Sequence, residues 1–174
     1  MIYPELEGSA LEAFRQMLAS LKSKAMKELR LPEDQIVVRD LRPEDYGAAS
    51  ADLYCGILET AWGNIINAQT IGDNRFIGIN GFFMASTCAA AAGTIGPSPA
   101  VTQIRVTRKG SVTRYWYVQP IVGFEGKTGW FDDPFTADQN TTITIESWNR
   151  IGGSIGAIGF LGAVVEKRGV LINP

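Results

Sequence analysis

An antiparallel β-sandwich, mainly β and preceded by one N-terminal α-helix, is the fold class this sequence predicts. Three observations carry it. From Arg75 onward, short runs alternate apolar and polar residues and are separated by turn residues, the period-2 grammar of half-buried strands. Before them lies one segment with apolar residues at spacings of three and four, the period of a helix packed on one side. Near the C-terminus, "IGGSIGAIGFLGAVVEKRG" fits neither a membrane span nor a nucleotide loop, and reads as a final strand.

The helix comes first. In "GSALEAFRQMLASLKSKAMKELRLP", Ser9 followed by Glu12 fits a capping box, and Lys22, Lys24, Lys27 and Arg30 load the end where the helix dipole favours cations. Pro32 stops it. Leu11, Phe14, Leu18, Leu21 and Ala25 form an apolar seam that packs on its own domain or meets a neighbouring subunit. This assigns residues 1–34 to a helical arm and residues 35–174 to the sandwich. Gln35 to Leu41 reads as a short strand closed by Arg42-Pro43. Leu53, Ile57, Ala61 and Ile65 then fall at helical spacing, so a short helix is expected near 51–68, weakened by Gly56 and Gly63. "RFIGINGFFMAST" is β-rich, "AVTQIRVT" places Ile104 and Val106 on an apolar face, and "RKGS" turns the chain at Gly110. "VTRYWYVQPIVGF" returns as an aromatic strand with Pro120 at an edge or bulge. "EGKTGWFDDPFTADQN" is expected to be a loop, and "TTITIESW" alternates again, with Ile143 and Ile145 inward.

The glycine-rich stretch has fifteen uncharged residues, Ile151 to Val165, where crossing the hydrocarbon takes about twenty. Glycine recurs there every third residue, yet no Gly-Lys-Ser or Gly-Lys-Thr follows, and glycine is poor helix material. A loop from Gly152 to Gly156 followed by a core strand "AIGFLGAVVEKRG" remains, its small residues letting a neighbour approach closely.

A chain of 174 residues with 45% hydrophobic content can bury its own core without staples. Histidine is absent, which excludes Ser-His-Asp and Cys-His hydrolases and His-ligated metal enzymes. Two cysteines, Cys55 and Cys88, cannot build a disulfide framework or a four-ligand zinc site and read as buried thiols. The first residues lack the basic and apolar regions of a signal peptide, which predicts an intracellular protein, a description that a virion component made in a host cell also fits. No catalytic residue, cofactor site or metal site is expected.

Several residues still need weighing. No Asp or Glu occurs between Asn74 and Phe124, so Arg105, Arg108, Lys109 and Arg114 form a basic region, either a solvated hairpin edge or a contact for an anionic partner such as nucleic acid. Trp116, Trp130 and Trp148 offer flat faces for sugar rings; strand positions favour core packing for Trp116 and Trp148, which leaves Trp130 as the platform of a carbohydrate-binding module. Two of Glu125, Glu146 and Glu166 would serve a glycosidase as its acid pair. Asp132, Asp133, Asp138 and Asn140 are oxygen ligands suited to calcium, but their spacing matches no EF-hand and all are ordinary turn residues.

A helical arm, alternating strands, a basic and aromatic central hairpin and the final strand "IGFLGAVVEKRGV" together resemble the single jelly-roll structural proteins of viruses, over roughly Arg75 to Ile172. The resemblance implies a jelly-roll-like sandwich and a homo-oligomer that assembles into a capsid or another virion part in the host cytoplasm, in contact with itself and other virion proteins. The strongly basic arm that often binds the genome in that family is here mixed in charge. The expected subunit contacts are Leu11, Phe14, Leu18 and Leu21 of the seam, with Trp116 and Tyr117.

Overall fold

The computed structural model describes residues 7–46, 54–58, 62–85, 101–118, 121, 128–149 and 154–169. Among the described residues a long helix, α1 (Gly8–Leu29), precedes nine strands: β1 (Ile36–Asp40), β2 (Tyr54–Leu58), β3 (Gly63–Thr70), β4 (Arg75–Ala85), β5 (Val101–Arg108), β6 (Ser111–Tyr117), β7 (Thr128–Ala137), β8 (Thr142–Asn149) and β9 (Ser154–Lys167). The helix ends as expected, with Arg30 in the left-handed region (φ 54°) and Pro32 just beyond. Its start differs from expectation. Glu7 is the N-cap and no side chain caps it, because Ser9 Oγ instead donates to Asp132 Oδ1 of β7 at 2.8 Å.

The strands form two antiparallel sheets. In one, β9 pairs with β4 along one edge and with β2 and then β1 along the other, and β7 flanks β4; in the second the order is β3-β8-β5-β6. With β1 and β2 sharing one position, the pairs β2–β9, β3–β8, β4–β7 and β5–β6 are nested, outermost with outermost. A long antiparallel hairpin rolled into two layers has this order, so the sandwich is jelly-roll-like. The short helix expected near 51–68 is replaced by β2 and β3: β-branched Ile57, Ile65 and Ile66 suit strands, and the two glycines weaken a helix.

Inside the sandwich, Ile77, Ile79, Phe82, Ile104, Val106, Ile143, Ile145 and Val164 are buried together. On the opposite face of the β9 sheet a second cluster joins Phe14, Met17, Leu21 and Ala25 of α1 to Phe76, Ala163 and Val165. The seam is therefore covered by the chain's own sheet. A Cβ on Gly78 would run into the Met17 thioether and come within 2.9 Å of Leu21 Cδ1, so a bare backbone is what lets the helix sit this close. From Ser154 the glycine-rich stretch is the central strand of this sheet, so strand structure begins inside the loop expected from Gly152 to Gly156. At Gly162 a side chain would collide with the carbonyl of Gly78 in neighbouring β4, which is the close approach expected of those small residues.

The expected loop at 125–140 is largely strand, for residues 128–137 form β7 at the sheet edge, where Pro134 costs no ladder bond. Pairing slips between Ile79–Phe135 and Gly81–Trp130, so the "FDDP" residues bulge opposite the single residue Asn80. The bulge delivers Phe131 to the interior, stacked on Trp116 at 3.9 Å and 7°. Asn80 is fully buried at this point, and its side-chain amide finds no partner among the described residues. At the β5–β6 turn, Lys109 and Gly110 both have positive φ (52° and 78°), the two-residue hairpin turn that matches strand twist.

One end of the sandwich is closed by charge. Arg39 donates to both oxygens of fully buried Asp45 at 2.7 Å and to Glu166 Oε1 at 2.8 Å, while Arg75 Nε donates to Glu166 Oε2 at 3.1 Å. Asp45 also accepts the Arg42 N–H at 2.8 Å. Hydrogen bonding to Asp45, with Glu166 adding to it, raises the Arg39 pKa. Two cations and two carboxylates balance here, and the group joins β1, the Pro43–Tyr46 turn, β4 and β9. Beside it, Tyr46 is buried edge-on to Phe160 at 5.5 Å, and burial raises its phenol pKa.

Candidate functional site

The two sheets present different outer faces. The β9 sheet is covered by α1, whereas the β3-β8-β5-β6 sheet carries aromatics outward. Alternation along β5 and β8 buries Ile104, Val106, Ile143 and Ile145, which turns Gln103, Arg105, Glu146 and Trp148 to the outside. Register then aligns Asn64, Glu146, Arg105 and Tyr115 in one row across all four strands, and Trp148, Gln103 and Tyr117 in the next. Tyr115, Tyr117 and Trp148 are 50%, 57% and 38% exposed.

Trp62, at the entry to β3, crosses over this face. The Arg105 guanidinium lies 4.3 Å from its ring centroid, and Tyr115 and Trp148 flank it at 6.0 Å, inclined by 66° and 64°. Arg105 reaches sideways to Glu146 as well, donating from Nε at 2.7 Å and Nη2 at 2.5 Å, the bidentate fork a carboxylate accepts. These bonds raise the Arg105 pKa and hold its plane under the indole. The result is an aromatic trough with Trp62 as floor and an internally neutralised ion pair beneath it.

The expected site residues fall elsewhere in part. Phe14 and Leu21 are buried and Leu11 and Leu18 partly buried against the chain's own sheet, so the seam is used internally and not as an exposed contact. Trp116 is interior, at 6% exposure, because odd and even residues of β6 face opposite ways; Tyr117 alone of that pair points outward. Trp130 lies on β7 against the helix cluster, so it is no loop platform. Arg105, Arg108 and Arg114 do not merge into one basic patch: Arg105 pairs with Glu146, Arg108 donates to the Thr136 carbonyl at 3.1 Å, and Arg114 to Asp133 at 2.7 Å. Lys109 is exposed at the hairpin turn.

Glu146 stands on the outer face of one sheet and Glu166 inside the buried network of the other, so these two cannot flank one glycosidic bond; Glu125 lies outside the described residues. Asp132, Asp133 and Asp138 are engaged separately by Ser9, Arg114 and Lys24, the last at 2.7 Å, and Asn140 donates to Asp73. Among the described residues no three Cys, Asp or Glu side chains cluster for a metal. Cys88 is outside the described residues, as is the Cys55 side chain. Among the described residues no helix is long and apolar enough to cross a membrane.

Trp62 is the residue that sequence reasoning passed over. Its signal was local: a tryptophan one residue before a strand whose neighbours already carried an outward Arg and Glu. No family model matches this chain, and no curated protein or solved structure matches it.

Proposed function

We propose that this chain is a non-enzymatic structural subunit that self-assembles by symmetric contacts into a viral capsid or another part of a virion, built in the host cytoplasm. The observation that carries the reading is the unequal treatment of the two layers. The helix closes one face of a jelly-roll-like sandwich, while β6, the outermost strand of the other sheet, presents Tyr117 outward, with Ile121 (36% exposed) four residues further on. Ile121 lies beside Gly129 of β7, and exposed apolar side chains such as these are the ordinary mark of an interaction surface. The lack of histidine and the separation of Glu146 from Glu166 favour a structural role over hydrolysis.

In this reading Tyr117 of β6 and Ile121 beside β7 meet a second copy or another virion protein. The test is the mass of the purified chain by light scattering over a wide concentration range, with electron microscopy of the largest species. Rings, closed oligomers or shells are the expected result. A monomer at every concentration rules the proposal out.

A further inference from the structure

We propose that the trough formed by Trp62, Tyr115 and Trp148 over the Arg105–Glu146 pair binds a neutral glycan, one pyranose ring stacking on the Trp62 indole between the two flanking rings. This goes beyond assembly and does not depend on it, because the trough is complete within one chain.

The choice of ligand follows from charge and shape. An indole in edge-to-face contact with two further rings, inclined by 66° and 64°, offers an apolar aromatic surface of at least one sugar ring's width. The C–H face of a pyranose is apolar, and its hydroxyls leave from the rim. Beside the rings, the row of Trp148 and Tyr117 places Gln103, whose amide can donate to and accept from hydroxyls. A quaternary ammonium, the other frequent guest of aromatic walls, is disfavoured: the Arg105 guanidinium already sits 4.3 Å from the Trp62 ring and engages its π face. A nucleic-acid strand would also stack on these rings, yet its phosphates need uncompensated positive charge, and Glu146 cancels Arg105 at 2.5 Å and 2.7 Å. The neutral, stacked, hydroxyl-ready surface matches the neutral sugar.

The experiment is calorimetric titration of the full-length chain, held dilute, with cellohexaose, chitohexaose, mannohexaose and maltohexaose, and with a thymidine oligonucleotide for contrast. Saturable binding of at least one hexasaccharide is expected, unchanged by added salt and about tenfold weaker in both Trp62→Ala and Trp148→Ala. Near-ultraviolet circular dichroism checks that each variant is folded, and Trp130→Phe, placed against the helix, should bind as the wild type does. The inference is overturned if no hexasaccharide binds, if binding survives both trough variants, or if only the oligonucleotide binds and salt abolishes it. A fall in assembled mass in Trp148→Ala, without glycan binding by the wild type, would also overturn it and make the trough a subunit contact. Failure of assembly with glycan binding intact would sink the structural reading alone.

Discussion

The two sheets of this sandwich share one backbone grammar and part company at their outward residues. On the β9 sheet those positions are apolar, Phe76, Ala163 and Val165 among them with Gly78 left bare, and Met17 and Leu21 of α1 pack on them. On the β8 sheet they are Arg105, Glu146, Tyr115 and Trp148, too bulky and polar for a helix to cover and arranged instead as a platform under Trp62. Polarity at alternate positions therefore separates the face that α1 closes from the face that stays open. Each sheet also holds an Arg–carboxylate site, with opposite surroundings. The Arg39–Asp45–Glu166–Arg75 group is enclosed and secures the fold, while Arg105–Glu146 stands at the surface and shapes the trough.

That contrast can be broken in graded ways. Asp45→Ala removes the bidentate partner of Arg39 and leaves an enclosed cation uncompensated; a loss of about 3–5 kcal/mol in urea unfolding is expected, and a loss below about 1 kcal/mol would mean the network is solvated. Leu21→Ala opens a cavity under α1 and should cost about 2–5 kcal/mol. If hydrogen exchange then shows the helix released while the strands stay protected, α1 is a lid on the sheet.

Tyr46 supplies a pH test. Burial raises its pKa, so the fold favours the protonated phenol; that contribution is whole below the ordinary value near 10 and is lost as pH climbs through the raised folded value. Urea melts between about pH 9 and 11 should show wild type losing more stability than Tyr46→Phe does. Equal slopes would remove Tyr46 from the account. The smallest effect belongs to the surface pair. Glu146→Gln is expected to cost no more than about 1 kcal/mol, because Arg105 keeps its contact with Trp62 and with water. A cost as large as that of Asp45→Ala would erase the distinction between the two sites.

Much of this was legible in the residues. The alternation of Ile104 with Val106 and of Ile143 with Ile145 placed β5 and β8 and their inner faces, because a period of two has one burial solution per sheet face. The glycine-rich segment was readable as a strand by elimination, and Gly162 shows the close contact that its glycines foretold. Two elements were not readable. Asp132-Asp133-Pro134 has turn composition, and only the facing Asn80 turns it into a bulge, a pairing between residues far apart in the chain. Leu53, Ile57, Ala61 and Ile65 fall at helical spacing, and the partner that makes the first part of this segment a strand, Ser154 to Ile158 of β9, lies far along the sequence. The site was half visible for the same reason. Arg105, Glu146 and Trp148 are each conspicuous, but their meeting under Trp62 is a product of sheet register.

The proposed contact between copies is tested most directly by hydroxyl-radical footprinting of the chain at low and high concentration. Tyr117 of β6 and Ile121 beside β7 should lose reactivity as mass rises, while Met26, 36% exposed on the outer side of α1, keeps its own. Protection of Met26 with Tyr117 still reactive would place the contact on the helix side and contradict the account.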